Sequence, residues 1–420
     1  MLLEVRDMLW GTLGTVLLIA AGLYFTVKTR FVQLDLFGNL KGIASVMRKK
    51  SGFASAATAL GGTIGAGSVM GISIGLAAGG AGSVFWMWVS GFFGMALRYA
   101  ETKYAFSDRV RTKNGYIGGA MVSLKRLGSK SSATVFCVAA IFVSLGTGNM
   151  TQVGSVASSL ESLGVDRYIC GLAAALIFGI VVLAGKRAIL AANSVLVPLC
   201  CAAYLLSLLP VLTGNISRLG DVLGEIFRSA FGIDAMTGGF TAYAFSRALR
   251  EGISRGVFSN ESGMGSAPLA YCASDAADAE AQSRLGIAEI FTDTFIISTF
   301  TALCLLCGGF ESTCEMMLCC YGRAGETAFA VMLCVFALAS MLCWHYYAYV
   351  CIDFIPHGDW FIRIYPWLSV IAAFLGAVIP QSTVWAIADI FNLLMVLPNL
   401  YMLFLKVRKV NGDRSDIRSL

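Results

Sequence analysis

The residues best suited to chemistry lie in a glycine-rich stretch at positions 60–71, inside an apolar segment long enough to cross a bilayer. Gly61, Gly62, Gly65 and Gly67 each lower helix stability by roughly 1 kcal/mol relative to alanine. At membrane depth, unwound backbone is tolerated only against protein or a water-filled cavity. Its free carbonyls and amides there bind a cation and a small zwitterion. Close helix packing on small residues is the alternative, and this stretch alone leaves both open.

A second copy of the pattern favours the binding interpretation. Gly263-Met264-Gly265-Ser266 repeats the spacing of Gly65-Ala66-Gly67-Ser68, and it follows a run of polar side chains at 259–262 that cannot face lipid. Glycine-interrupted segments at corresponding positions of two halves are the best sequence indication of a transporter's binding site. We therefore expect two helix breaks that line one cavity.

The composition defines the class of protein around these breaks. The chain has 420 residues, of which 57% are hydrophobic and 13% charged, whereas soluble domains carry about 25% charged residues. It is therefore expected to be a polytopic membrane protein. The net charge of +6 needs no nucleic acid to explain it, because basic residues concentrate on cytoplasmic loops. The apolar run from Met8 to Val27 is too long for the core of a cleavable signal peptide.

Other polar residues fall within predicted spans. Asn149 and Gln152 are three residues apart, so they are expected to share a helix face. Asp293 is a candidate because intramembrane carboxylates are usually functional, although a structural hydrogen bond is an equal alternative. A structural role is favoured for His345, because on a helix it points away from Ser340.

The thirteen cysteines include five between positions 304 and 320. Only Cys304 and Cys307 have the Cys-x-x-Cys spacing, and no histidine lies nearby. Cysteine also packs as a small apolar residue. We therefore favour packing over a metal or redox site and keep a disulfide near the outer end as an alternative.

Apolar segments and two breaks predict an all-α protein of about eleven transmembrane helices. Placing the N-terminus outside and the C-terminus in the cytoplasm puts most of the 31 Lys and Arg residues on the cytoplasmic side. After the first helix, ten helices divide into two sets of five with opposite orientation, which is an inverted repeat. The predicted units are an extra helix and basic loop (1–50), a first repeat (51–215), a second repeat (216–410) and a tail (411–420). The predicted spans are 8–28, 52–76, 82–104, 131–161, 168–185, 190–213, 284–307, 325–354, 361–379 and 382–407. The second break is predicted at 258–268, and the stretch before it, 216–257, is expected to hold an amphipathic surface helix.

The sequence resembles the alanine or glycine:cation symporter family over nearly its whole length. The most specific motif is the Phe-Ser-Asn-Glu run at 258–261. The other matching positions are Gly65-Ala66-Gly67-Ser68, Phe85-Trp86-Met87-Trp88-Val89, Gly148-Asn149-Met150-Thr151-Gln152, Leu196-Val197-Pro198, 255–257, 262–268, Asp293-Thr294, Phe336-Ala337, Trp344, Tyr346-Tyr347 and Pro398-Asn399-Leu400.

This resemblance implies the fold of the neurotransmitter:sodium symporters, in the plasma membrane. It also implies import of a small neutral amino acid, such as alanine or glycine, coupled to sodium by alternating access. Proton-coupled or uncoupled transport is the alternative within this fold, and a cation channel is the alternative outside it. A channel would need a ring of repeated filter elements. An intramembrane hydrolase would need a nucleophile with a base, yet the two histidines are His345 and His357, the latter in a predicted loop.

The residues and the resemblance together define the expected site. Carbonyls near Gly61 to Ile64 face a cation or the substrate ammonium, and amides at the start of the next half-helix suit the substrate carboxylate. The expected substrate residues are Thr63, Gly65, Gly67, Asn149, Gln152, Phe258, Ser259, Asn260, Glu261 and Ser262. By resemblance, the sodium ligands are Gly61, Ile64 and Ser340; sodium is a transported ion here, and no cofactor is expected.

The sequence departs from the family pattern at several of these places. Ser68 stands where the family usually has asparagine, and Ala339 replaces a hydroxyl residue beside Ser340. We therefore expect sodium coupling that is weaker than usual, or replaced by protons carried on Glu261 or Asp293. Gly154 replaces an asparagine and is expected to leave room for a side chain bulkier than alanine's. A monomeric state is assumed.

Overall fold

The computed structural model describes residues 14–112, 115–232, 241–275, 278–356 and 359–412, and these are almost entirely helical. In the first half the helices are α1 (Thr15–Lys28), α2 (Leu36–Met47), α3 (Lys50–Thr63), α4 (Ala66–Gly79), α5 (Gly82–Ser107), α6 (Ala120–Arg126), α7 (Lys130–Leu145), α8 (Thr151–Glu161), α9 (Arg167–Leu183) and α10 (Lys186–Gly214). The second half contains α11 (Leu219–Ala230), α12 (Thr241–Asn260), α13 (Ala267–Tyr271), α14 (Ala279–Ile290), α15 (Thr299–Gly308), α16 (Thr313–Phe354), α17 (Asp359–Val378) and α18 (Gln381–Gly412).

Within this described part, seven helical segments are long and apolar enough to cross a membrane. They are Lys50–Gly79, Lys130–Glu161, Lys186–Gly214, Ala279–Gly308, Thr313–Phe354, Trp360–Val378 and Thr383–Lys409, and α1 and α9 are shorter apolar helices. The predicted class, an all-α polytopic membrane protein, is therefore confirmed. Helix α2 lies within the unit 1–50 that is predicted to hold a basic loop. Helix α6 and a short antiparallel hairpin, β1 (Val110–Thr112) with β2 (Gly115–Ile117), lie between the predicted spans 82–104 and 131–161.

The first predicted break is confirmed between α3 and α4. The amide of Ile64 donates to the carbonyl of Leu60 at 2.8 Å, which is the last helical hydrogen bond of α3. Ile64 and Gly65 are extended, with ψ of 91° and −176°, and the helix resumes at Ala66. The carbonyls of residues 61–64 therefore follow the last helical bond of α3, as the glycine content predicts.

The second predicted break lies between α12 and α13. Glu261, Gly263 and Gly265 have positive φ values of 52°, 89° and 71°. Glycine adopts this conformation readily, whereas for glutamate it is strained. Pro268 then lies in the first turn of α13, where its missing N–H costs nothing.

The expectation of an amphipathic surface helix over 216–257 is wrong for the last part of that range, residues 241–257, and residues 233–240 lie outside the described part of the chain. Residues 219–230 form the short helix α11, but α12 runs directly into the second break and packs on α4 and α5. Its charged residues divide between surface and interior: Arg247 and Arg250 are exposed, whereas Arg255 lies along Gly75 of α4. A long side chain can cover a neighbouring helix with its aliphatic stem.

Small residues fix the close contact between α12 and α5. A Cβ atom on Gly252 would lie 2.3 Å from the carbonyl oxygen of Ser83, and one on Gly256 would lie 2.9 Å from the Cβ atom of Ser90. Glycines four residues apart allow two membrane helices to approach this closely. The second break is thereby held against α5.

Two segments of π-helix interrupt the long helices. Gly146–Met150 separates α7 from α8, and Phe291–Ser298 separates α14 from α15. They coincide with two of the regions that the sequence indicates as functional, around Asn149 and Asp293. Such π segments are frequent at functional sites because they change the direction in which side chains point.

We expect Gly252→Ala to destabilise the protein by about 1–3 kcal/mol, because the added methyl group must displace backbone of α5. The matched control is Gly220→Ala, since nothing lies within 4 Å of a Cβ at that exposed helical position. Thermal unfolding in detergent would measure both. Equal melting temperatures for the two variants would contradict the close α12–α5 contact.

Candidate functional site

Gln152 of α8 holds the first break. Its side-chain oxygen accepts a hydrogen bond from the amide of Ala66 at 3.0 Å, and its side-chain nitrogen donates to the carbonyl of Thr147 at 3.3 Å. A Cβ atom on Gly65 would lie 2.7 Å from that oxygen, so a larger residue there would have to displace the Gln152 amide. The predicted meeting of Gln152 with Gly65 is therefore present in the structure.

The hydroxyl of Ser340 in α16 faces the same break. A Cβ on Gly65 would lie 3.1 Å from this hydroxyl oxygen, which is buried and has no hydrogen-bond partner among the described residues. Gly61 faces Ala339, whose carbonyl oxygen would lie 3.6 Å from a Cβ on Gly61. An unpaired buried hydroxyl oxygen beside the first break is the kind of ligand that a hard cation prefers.

The aromatic ring of Phe258 brings the second break next to the first. A Cβ atom on Gly67 would lie 3.5 Å from the Phe258 ring and 3.8 Å from the ring of Trp385 in α18. The centroids of the two rings are 4.7 Å apart. The start of α4 therefore faces an aromatic wall, to which Trp385 contributes although it was not among the predicted residues.

The remaining predicted side chains make separate contacts within the protein. Ser259 donates to Asp293 at 2.8 Å, and the side-chain oxygen of Asn260 accepts from the amide of Ser262 at 3.0 Å. Glu261 accepts from the hydroxyl of Ser266 at 2.8 Å. These contacts stabilise the irregular backbone of the second break.

Asn149 does not lie with Gln152. Its side-chain nitrogen donates to the carbonyl of Ser369 in α17 at 2.7 Å, because the π segment turns it away from the first break. His345 also contacts Ser369, through its hydroxyl at 3.0 Å, and stacks on Tyr365 with ring centroids 5.0 Å apart. The structure thus places both side chains where α16 and α17 pack together. His357 lies outside the described residues.

Gly154 does not open the candidate site. A Cβ atom there would lie 1.6 Å from the side-chain nitrogen of Gln381, which donates to the carbonyl of Gly376 at 3.0 Å. The space left by the missing asparagine is filled by an amide from the start of α18. The structure therefore gives no support to the expectation of a larger pocket.

A buried arginine that is not among the predicted site residues lies beside the second break. Arg98 of α5 is fully buried and donates to the carbonyl of Asn260 at 2.7 Å. Its guanidinium is 3.5 Å from Glu101 and 3.7 Å from Glu289 of α14. Arg98 and Glu101 are three residues apart in a predicted span, and this spacing was the available signal for an intramembrane ion pair.

The two carboxylates extend this network to both breaks. Glu289 accepts from the hydroxyl of Thr63, at the end of α3, and from Tyr271 at 2.6 Å. Asn399 of α18 donates both to Glu101 and, at 2.9 Å, to the carbonyl of Gly263. One charged network therefore connects the first break, the second break and α18.

The cysteines show no site. All thirteen lie in the described part of the chain as free thiols, most of them buried. In the same residues no group of three or more His, Cys, Asp or Glu side chains is arranged to hold a metal ion. Apolar packing, the favoured interpretation, agrees with their burial.

Two helix breaks that face each other inside a polytopic helical protein define the class of membrane transporters with discontinuous helices. This chain belongs to the sodium:alanine symporter family, whose model matches residues 1–416. It is therefore a transporter-family protein rather than a member of an enzyme family.

Individual relatives match over nearly full length. The chain is 34% identical over 427 residues to the sodium/alanine symporter AgcS of Methanococcus maripaludis, covering 96% of this chain and 93% of that protein. It is 31% identical over 422 residues to the probable sodium/glutamine symporter GlnT of Bacillus subtilis, covering 95% and 86%. A putative sodium/proton-dependent alanine carrier, YrbD of Bacillus subtilis, is 27% identical over 422 residues, covering 92% and 85%.

We expect Arg98→Leu to destabilise the protein by about 3–5 kcal/mol, because it leaves buried carboxylates without their counter-charge. Arg250→Leu is the matched control: the Arg250 side chain is 58% exposed, and such pairs contribute about 0–1 kcal/mol. Thermal unfolding in detergent measures both. A melting temperature for Arg98→Leu as high as that of Arg250→Leu would show that the network is not structural.

Proposed function

We propose that this protein is a secondary active symporter that imports a small neutral amino acid, with alanine or glycine preferred, together with sodium. Membership of the sodium:alanine symporter family and the named AgcS and GlnT relatives support amino-acid:cation symport. The observation that carries the proposal is the contact between the two breaks, Gly67 against the ring of Phe258, with Gln152 of α8 beside Gly65.

The amino acid is proposed to lie between the two breaks. Its carboxylate binds the amides of Gly65 and Gly67 at the positive end of α4. Its ammonium faces carbonyls at the end of α3, with Gln152 beside it. Phe258 and Trp385 limit the side chain that fits against Gly67, which favours small substrates.

Sodium is proposed to bind where α16 meets the first break. The carbonyls of Gly61 and Ile64 and the unpaired hydroxyl of Ser340 supply oxygen ligands. Because Ala339 faces Gly61, a threonine at 339 would add a hydroxyl on this side of the site. Its absence supports weak sodium binding in this chain.

Transport is proposed to follow alternating access within eleven membrane-crossing helical segments. The first break belongs to a repeat over 51–215 and the second to a repeat over 216–410, in opposite orientations. The basic residues favour an outer N-terminus and a cytoplasmic C-terminus in the plasma membrane. No partner beyond the substrate, sodium and lipid is required by this scheme.

Uptake of labelled alanine into proteoliposomes, with and without an inward sodium gradient, tests this proposal. We expect gradient-driven uptake, inhibited by glycine and other small neutral amino acids and not by lysine or glutamate. Ser340→Ala should abolish the sodium dependence, whereas Ala339→Thr should lower the sodium concentration for half-maximal uptake because it adds a ligand.

Two results would contradict separate parts of the proposal. If acidic or basic amino acids compete best and alanine not at all, the substrate assignment is wrong. If uptake saturates at low sodium and Ser340→Ala leaves that response unchanged, sodium binds elsewhere.

A further inference from the structure

Helix α2 has an apolar edge that the described part of the chain leaves uncovered. The side chains of Leu36, Phe37 and Leu40 are 71%, 91% and 69% exposed, and Met47 at the end of the helix is exposed as well. A contiguous apolar surface of this kind marks contact with a partner or with a membrane. The other residues of α2 and the helices beside it indicate which of these it is.

The side chains of α2 point in three directions. One edge is buried against the protein and consists of Asn39, Gly42 and Val46, and a hydrophilic edge consists of the exposed Lys41 and Ser45. At 3.6 residues per turn, the buried, apolar and hydrophilic edges lie roughly a third of a turn apart. A helix that lies flat on a bilayer beside a protein needs these three edges, one each for the protein, the acyl chains and water.

The neighbouring helices place α2 at a membrane surface. The apolar helix α1 ends at Lys28, and α3, which begins at Lys50, opens a segment long and apolar enough to cross the membrane. In the proposed arrangement, these two ends meet the cytoplasmic surface. The helix that connects them therefore lies where the hydrocarbon interior gives way to water.

Basic residues flank the apolar edge at both ends of α2. The residues before the helix are Lys28 and Arg30, and the exposed residues after it are Arg48, Lys49 and Lys50. Basic side chains beside a membrane surface attract anionic headgroups, and each one strengthens binding by a factor of about five. The charge of this region is thus complementary to an anionic phospholipid surface.

Arg284 joins the buried edge of α2 to α14. Its guanidinium donates at 2.9 Å both to the carboxylate of Asp35, which caps α2, and to the side-chain oxygen of Asn39. It also donates to Glu280 of α14 at 3.1 Å. Since α14 carries Glu289, which accepts from Thr63 beside the first break, a displacement of α2 would act on that break through α14.

A tight turn gives α2 a second connection to the first break. A Cβ atom on Gly52 would lie 2.3 Å from the carbonyl oxygen of Val46, so α3 starts in close contact with the end of α2. The other end of α3 is the first break. The position of α2 therefore constrains α3 from its first turn.

We propose that α2 is a lipid-binding helix, whose apolar edge lies among acyl chains while the basic residues at its ends bind the headgroups of anionic phospholipids. Through Arg284 and the turn into α3, this contact keeps the first break in a transport-competent position. The effect on transport rests on the proposed function, whereas the contact with lipid does not.

Photo-crosslinking in liposomes that contain phosphatidylglycerol tests the position of α2 without any need for transport. With benzoylphenylalanine in place of Phe37, illumination should link the protein to phospholipid, which mass spectrometry detects as an added lipid mass. The same residue in place of Ser45, on the hydrophilic edge, is the matched control and should give little lipid adduct. Position 40 is a second site on the apolar edge if the variant at 37 does not fold. A crosslinked dimer of the protein from the apolar edge, or equal lipid adducts from both edges, would overturn the lipid contact.

Sodium-driven alanine uptake in two kinds of liposome tests the effect on transport. The wild-type protein should take up alanine several-fold faster in phosphatidylglycerol mixed with phosphatidylcholine than in phosphatidylcholine alone. The double variant Lys49→Gln/Lys50→Gln should need a several-fold larger fraction of phosphatidylglycerol for the same uptake, because it loses two headgroup contacts. Arg408→Gln/Lys409→Gln is the matched control: it removes the same charge from exposed positions at the end of α18 and should respond to phosphatidylglycerol as the wild type does.

The results separate the parts of the inference. Equal wild-type uptake in the two liposomes would overturn the effect on transport. The same shift in both double variants would reflect net charge and overturn the assignment to α2. Absence of uptake in every liposome would overturn the proposed transport function, and crosslinking would still decide where α2 lies.

Discussion

The requirement that backbone polar groups be hydrogen-bonded inside a membrane shapes this protein more than any other constraint. Two helices are broken within the helical domain, and each break exposes amides and carbonyls that lipid could not satisfy. Side chains from other helices form hydrogen bonds with a few of them. Gln152 accepts from the amide of Ala66, Arg98 donates to the carbonyl of Asn260, and Asn399 donates to the carbonyl of Gly263. Carbonyls also follow the last helical hydrogen bond of α3, and the hydroxyl of Ser340 beside Gly65 is unpaired among the described residues. The proposed substrate and cation are the groups that would use them.

Pairing an irregular carbonyl with Arg98 places a charged side chain in the interior of the protein. A guanidinium is a strong donor for an irregular carbonyl, but burying it requires counter-ions, and Glu101 and Glu289 supply them from α5 and α14. Glu289 also accepts a hydrogen bond from the hydroxyl of Thr63 at the end of α3. The residues that stabilise one break thereby constrain the other, so a movement of either half-helix has to disturb the same network. This shared network gives a physical reason for the two breaks to move together in the proposed transport cycle.

The sequence predicted the breaks because glycine spacing and polar runs are local signals, and both lie where we expected them. It predicted Gln152, Phe258 and Ser340 near the breaks because their helices were identifiable. It missed Arg98 because a cation close to a basic loop resembles loop charge, although its spacing to Glu101 carried the information. It could not place Asn149, since a π segment shifts the helix face by an amount that residue spacing does not encode. Gln381 filling the space at Gly154 depends on long-range packing between α8 and α18 and has no local signal.

The central claim is that the amino acid lies between the two breaks. An electron cryo-microscopy map of the protein in sodium and alanine tests it most directly. Our account predicts ligand density bounded by Gly65, Gly67, Gln152 and the ring of Phe258, with a second peak beside the hydroxyl of Ser340. The structure offers an alternative location, an apolar cavity of about 320 Å³ between α8, α9 and α16, lined by side chains such as Val153, Cys170 and Met341. Alanine density in that cavity, with the space between the breaks empty, would contradict the account.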